Sequence, residues 1–167
     1  MNTPLRGRPA YSNKADTPVN RVQVQEHNFS VDAEYQALSN STSIGAVVTF
    51  VGKVRDMNLG DDVTGLSLEH YPGMTEKSLE RICEEAEARW PIDKLKIIHR
   101  VGDLNLGDQI VFVGVASAHR GAAFEACEFI MDFLKTKAPF WKKERMIYSS
   151  RWIEAKDSDS EAADRWN

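Results

Sequence analysis

An α+β domain with a mostly antiparallel sheet and three main helices is the fold class this sequence predicts, and three observations predict it. Apolar, β-branched runs occur before, between and after three stretches of helical periodicity. The runs Lys94–Val101 and Gln109–Ala118 are joined by a short segment, Gly102 to Asp108, which makes them an antiparallel hairpin. Gly45–Val54 (GAVVTFVGKV) is apolar almost throughout, as a strand covered on both faces would be, so it is expected at the centre of the sheet.

The elements follow in chain order. Residues 1–18 are rich in Asn, Pro, Arg and Ser with few large apolar side chains, and read as a disordered arm. A single domain is expected over 19–155. Arg21–Gln25 alternates and begins it as a short strand. Ser30 offers a helix N-cap, with Asp32 and Glu34 in the first turn where the dipole favours acids, and the helix ends near Asn40. After the Gly45–Val54 strand, Arg55–Asp62 is a polar loop and Leu66–Tyr71 a further strand. Pro72 and Gly73 break that strand, and Thr75 caps a helix whose Leu79, Ile82, Cys83, Ala86 and Trp90 form one apolar stripe. The hairpin follows. A helix then starts at His119 and Arg120, buries Phe124, Cys127, Ile130, Met131 and Leu134, and ends near Lys135 or Thr136. Pro139 ends it, because the ring clashes with the carbonyl of Lys135 and drives Ala138 out of the helical region. Arg145–Ile153 is the last strand, and 156–167 reads as a mobile acidic tail.

Composition excludes several functions. The chain has 167 residues, 42% of them hydrophobic, which suffices for one core. No apolar run approaches the roughly 18 residues of a membrane span, and Met1–Asn20 lacks the apolar centre of a secretory signal, so the expected location is the cytoplasm with no membrane partner. A net charge of -4 disfavours a general nucleic-acid coat but leaves room for a local basic patch that steers a small anion. Cys83 and Cys127 are far apart on apolar stripes and read as buried thiols, and the four scattered histidines offer no zinc pattern; no metal and no cofactor are expected.

The chemistry concentrates in Lys135-Thr136-Lys137-Ala138-Pro139-Phe140-Trp141-Lys142-Lys143-Glu144, where four lysines surround a proline and two aromatics. Buried Phe140 and Trp141 would anchor the turn and present Lys135 and Lys142 from rigid neighbours. Lysines in a last helical turn also simply complement the dipole, and most do nothing else. Lys53 and Arg55 follow one strand and His119 and Arg120 another. Signatures of Ser hydrolases, P-loop enzymes, dinucleotide binders and zinc proteases are absent. Spacing by itself leaves an anion site.

Phe50-Val51-Gly52-Lys53-Val54-Arg55, Leu68-Glu69-His70-Tyr71 with Met74, His99-Arg100-Val101-Gly102 leading to Gly107-Asp108, Ala118-His119-Arg120 and the lysine–proline–aromatic segment occur in the order of the MoaE family. The chain resembles that family, the large catalytic subunit of molybdopterin synthase, from about Gly45 to Trp152. The resemblance implies a hammerhead-like α/β fold and a sulfurtransferase of molybdenum cofactor biosynthesis. It converts cyclic pyranopterin monophosphate (precursor Z) to the molybdopterin dithiolene. The sulfur comes from the C-terminal Gly-Gly thiocarboxylate of a small ubiquitin-like MoaD-type subunit, within a heterotetramer built on a homodimer of the large subunit.

By the same resemblance, Lys135 is the essential lysine and Lys142 the second pocket lysine, both catalytic and substrate-binding. Arg55, His119 and Arg120 are substrate-anion contacts, the last two reaching in from the neighbouring protomer. Residue chemistry agrees: arginine grips phosphate through its bidentate fork, and lysine suits proton traffic. Lys135 is thus read as general acid/base or transient covalent partner, with Lys142 and Arg55 holding charge. Phe50 and Met131 read as core, and His70 as structural. Two other classes stand beside this one: a scaffold that docks a ubiquitin-like protein without chemistry, and a single-stranded nucleic-acid module built on Lys135–Arg145.

Overall fold

The computed structural model describes residues 20–58, 60–147 and 149–167, so the arm expected at 1–18 lies outside the described residues. The chain runs β1 (Val22–Gln25), α1 (Val31–Leu38), β2 (Ala46–Lys53), a small ladder of β3 (Met57–Asn58) and β4 (Asp61–Asp62), β5 (Gly65–His70) and α2 (Met74–Arg89). It continues through β6 (Lys94–Arg100), β7 (Gly102–Asn105), β8 (Gln109–Ser117), α3 (Arg120–Lys137), β9 (Phe140–Arg145), β10 (Ser150–Ile153) and α4 (Asp157–Asp164). Two larger sheets organise these elements, in strand orders β1-β6-β8-β2 and β10-β9-β5-β7. Every pairing in them is antiparallel except β1 with β6. The α+β class holds, with four helices among the described residues where three main ones were expected.

Helices α2 and α3 cover one face of the first sheet. Leu79, Ile82 and Cys83 of α2 and Phe129, Ile130 and Phe133 of α3 meet Ile97, Val113 and Val115 there. Helix α1 covers the other face through Leu38, against Phe112 and Ala116. A smaller cluster of Val54, Leu66, Leu68 and Leu104 binds the second sheet to the first. Both cysteines are buried and reduced, and burial pushes the Cys83 thiol up to about 12 and Cys127 up to about 11.

Local signals place several boundaries well. Ser30 accepts a hydrogen bond from the Ala33 amide at 3.2 Å, the N-cap its position predicts. Ala138, preceding Pro139, is extended and caps α3, which runs on to Lys137. Helix α2 starts one residue before Thr75, with Gly73 at φ 82° as its cap residue and the Glu76 carboxylate accepting from the Gly73 amide at 2.7 Å. Thr75 is instead fully buried. Its hydroxyl accepts from the Tyr71 amide at 3.0 Å and donates to the Pro139 carbonyl at 3.1 Å, which ties the start of α2 to the turn that follows α3.

Other expectations are corrected by long-range pairing. β2 lies at an edge, with Phe50 40% exposed, and β8 takes the centre, buried from Val111 to Ser117. An apolar β-branched run does not distinguish a strand awaiting a cover from one that has it. β6 and β8 do pair antiparallel, but the link between them is not a plain turn. At Gly102, φ 81°, the chain leaves the first sheet, and β7 joins β5 in the second. The predicted strand Arg145–Ile153 is two strands, β9 and β10, paired with each other. Trp141, expected as a buried anchor, is 50% exposed. Finally, the acidic tail carries α4, docked on α3 with Ala163 buried and Trp166 packed at right angles to Trp90.

Gly114 shows how tightly α1 sits on the sheet. A methyl group there would collide with Leu38 Cδ1 and stand 2.8 Å from Phe112 Cε1, both on buried side chains. Gly114→Ala is expected to destabilise the fold by about 1–3 kcal/mol, read as a lower urea midpoint at unchanged slope. An unchanged midpoint would mean that α1 yields freely.

Candidate active site

Three elements bring cations together at the junction of the two sheets. β2 delivers Lys53 and, just past its end, Arg55; β9 delivers Lys142 and Glu144, two apart and therefore on one face; β5 and β8 supply Leu66 and Ile110. With Val54 and Val63 these side chains line a cavity of about 40 Å³, room for one or two waters. A shallow open groove of about 630 Å³ lined by Val54, Arg55, Asp56, Leu106 and Gly107 adjoins it, sharing Arg55.

Lys142 is the electrostatic centre. Its ammonium is held below the usual lysine range by burial first; Glu144 opposes that shift, and the positive charges of Lys135, Lys156 and Arg55 add to it. Three further cations therefore act on Lys142 although they come from α3, the segment before α4 and the end of β2. Glu144, 3% exposed, is bound by Arg151 Nε at 3.3 Å and Nη2 at 3.2 Å, so β10 steadies the carboxylate in the cavity wall. Lys135 stands in the last turn of α3 with its side chain 52% exposed and its Nζ 3.4 Å from Asp159 Oδ1. Its neighbour Lys137 turns away, its ammonium 3.8 Å from the centre of the Phe133 ring.

A rigid base supports Lys142. Phe140, which opens β9, stacks on His99 of β6 at 3.8 Å and 18° between planes. His99 is buried, its Nδ1 2.7 Å from the Arg100 carbonyl, and burial lowers its pKa from 6.5 to about 4, with the His70 and Lys142 charges adding to the shift and the Arg100 bond opposing it. It is therefore neutral in the folded protein at neutral pH. Between pH 6.5 and 4 the unfolded chain takes up the proton that the folded chain refuses, so stability rises with pH across that window and is lost as pH falls through it. Full integration amounts to roughly 3 kcal/mol. His99→Gln should flatten the part of the urea-midpoint curve between pH 4.5 and 6.5; an unaltered curve would assign that dependence to other groups.

His119 and Arg120 are elsewhere. Both are exposed at the start of α3, where His119 is the extended cap residue after β8. Lys135 is near the other end of the same helix, about 22 Å away along its axis at 1.5 Å per residue. The structure thus brings Lys135, Lys142 and Arg55 together and separates His119 and Arg120 from them within one chain. Sequence reasoning overlooked Lys156 and Asp159, which it assigned to a mobile tail, and His99, whose stacking partner is 41 residues away in sequence. Met131 is half-buried against the main core, as expected.

Relatives of known name agree with this arrangement of elements. The family model described as "MoaE protein" matches residues 24–137. The molybdopterin synthase catalytic subunit of Vibrio cholerae is 66% identical over 146 residues, covering 87% of this chain and 97% of that protein. Among solved structures, the molybdopterin cofactor biosynthesis protein E of Burkholderia multivorans superposes with a TM-score of 0.73 at 53% identity, over 87% of this chain and 94% of that one. The molybdopterin synthase of Staphylococcus aureus gives 0.74 at 32% identity, over 79% and 96%. With the family model spanning most of the described domain and identity this high over nearly whole chains, the protein belongs to the MoaE family.

Proposed function

We propose that this chain is the catalytic subunit of a molybdopterin synthase, a cytoplasmic sulfurtransferase that installs the dithiolene of molybdopterin on cyclic pyranopterin monophosphate. The observation that carries the reading is a cavity lined by Lys53, Arg55 and Lys142, with Lys135 and Lys156 near enough to act on Lys142, in a chain whose net charge is negative. The reactants are anions: a substrate phosphate and the C-terminal thiocarboxylate of a small MoaD-type partner. Opening the cyclic phosphate releases further negative charge. Fixed cations stabilise that charge where it develops, at no reorganisation cost. The groove along Leu106 and Gly107 suits an extended Gly-Gly tail, which would deliver its sulfur beside Arg55.

In this reading Lys135 exchanges a proton with, or bonds covalently to, the reacting groups, while Lys142 and Arg55 bind the phosphate and the developing charge. Half-burial sharpens the role of Lys142, because a lysine pushed toward neutrality gives up its proton more readily. His119 and Arg120 act on the site of a second copy, since α3 holds them away from their own. The assembly is then a large-subunit homodimer with one small subunit at each end, and neither nucleic acid nor membrane takes part.

The test is a single turnover. Purified chain, thiocarboxylated partner and cyclic pyranopterin monophosphate are expected to yield the dithiolene, detected after oxidation to a fluorescent pterin. Partner bound tightly with no product formed would favour the scaffold reading instead.

A further inference from the structure

We infer that Asp159 is a positioning residue for Lys135, and that α4 serves to hold its carboxylate beside that ammonium. The inference rests on the role proposed above for Lys135. Helix α4 and the turn after it present Asp159, Ala162, Ala163 and Trp166 toward α3, while Asp157, Glu161 and Asp164 face solvent. Packing alone would place a small apolar residue at the Asp159 position. The carboxylate there is 22% exposed and lies 3.4 Å from the Lys135 ammonium.

The docking of α4 is keyed to the same part of α3. Arg165 binds Glu128 at 2.6 Å and Asp132 at 2.8 Å, and the Trp166 indole donates to Asp132 at 2.7 Å. Asp132 lies three residues before Lys135, so anchor and ion pair sit on adjacent turns. The Trp166 ring also meets Phe129 edge-on at 5.7 Å, and its carbonyl accepts from Arg89 at 2.6 Å.

The electrostatic surroundings explain why a carboxylate is needed. Lys135, Lys156 and Arg55 all act on Lys142. A lysine on a flexible four-carbon stem among three other cations is driven out into solvent unless a negative group holds it. As a stabilising contact a half-exposed pair at this distance is worth little. Its effect is to narrow the positions of Nζ, and orientation of a reacting group is where small displacements cost most in rate.

The experiment uses the assembled enzyme with thiocarboxylated partner, comparing wild type, Asp159→Asn, Asp159→Glu, Asp157→Asn and Lys135→Ala. Single-turnover rate, partner affinity and melting temperature are measured for each. Asp159→Asn is expected to slow turnover on the order of tenfold with partner affinity and melting temperature unchanged. Asp159→Glu should recover most of the rate, and Asp157→Asn, with the same charge change at an exposed site, should leave it intact. Asp159→Asn within twofold of wild type beside an inactive Lys135→Ala overturns the inference and leaves the function standing. So does a slow Asp159→Asn whose melting temperature and partner affinity fall together and which Glu does not restore, since that marks a docking contact. An active Lys135→Ala removes the premise itself.

Discussion

Lys135→Ala is expected to lower single-turnover dithiolene formation by at least a hundredfold while leaving the fold intact. General acid/base or covalent participation by one side chain accounts for roughly 10²–10⁴ in rate. The structural loss is small, because the side chain is half exposed and its ion pair with Asp159 is of the surface kind. A melting temperature within a degree or two of wild type, with partner affinity retained, would separate chemistry from folding. Lys135→Arg divides the role further. Arginine keeps the positive charge but does not exchange a proton near neutral pH, so an active Arg variant would reassign Lys135 to charge stabilisation alone. Activity of the alanine variant within tenfold of wild type would move the central role to Lys142, the lysine whose proton burial already loosens.

Mixed dimers should regain activity that neither parent shows. Within one chain, Arg120 and Lys135 are about 22 Å apart on a straight helix. If His119 and Arg120 serve a neighbour's site, a chain lacking Lys135 and a chain lacking both His119 and Arg120 fail in different halves of the same composite site. Co-expressed at equal levels, they form hybrids in about half of the dimers, each with one intact site of two, which restores about a quarter of wild-type activity. No recovery in purified hybrids would show that every required cation comes from a single chain and that His119 and Arg120 serve something else. The result does not depend on the chemical role of Lys135, so it tests the geometry separately from the mechanism.

Much of the local structure was legible in residue order. Ser30 as a cap, Pro139 as the terminator of α3 and the apolar stripe of α2 each depend on neighbours within a few residues, and each occurs where expected. The basic residues of the site were legible too, because their order along the chain matches a family pattern. Strand order was not. β2 and β8 read alike, yet β8 is covered on both faces and β2 carries a half-exposed Phe50 at an edge, a difference set by partners dozens of residues away. Gly102 looked like part of a hairpin turn and is a corner between two sheets.

By itself, then, the sequence determined where most of the longer helices and strands form, which cations are available and which family they belong to. The tertiary structure decided which of those cations meet. It lowered the proton affinity of Lys142 by half burying it among Lys135, Lys156 and Arg55, and it held His119 and Arg120 a helix length away. It also turned an acidic tail into α4. Eight residues do not sustain a helix alone in water, so that element forms through Trp166, Arg165 and Asp159 against α3, contacts that span more than twenty residues and leave no local trace.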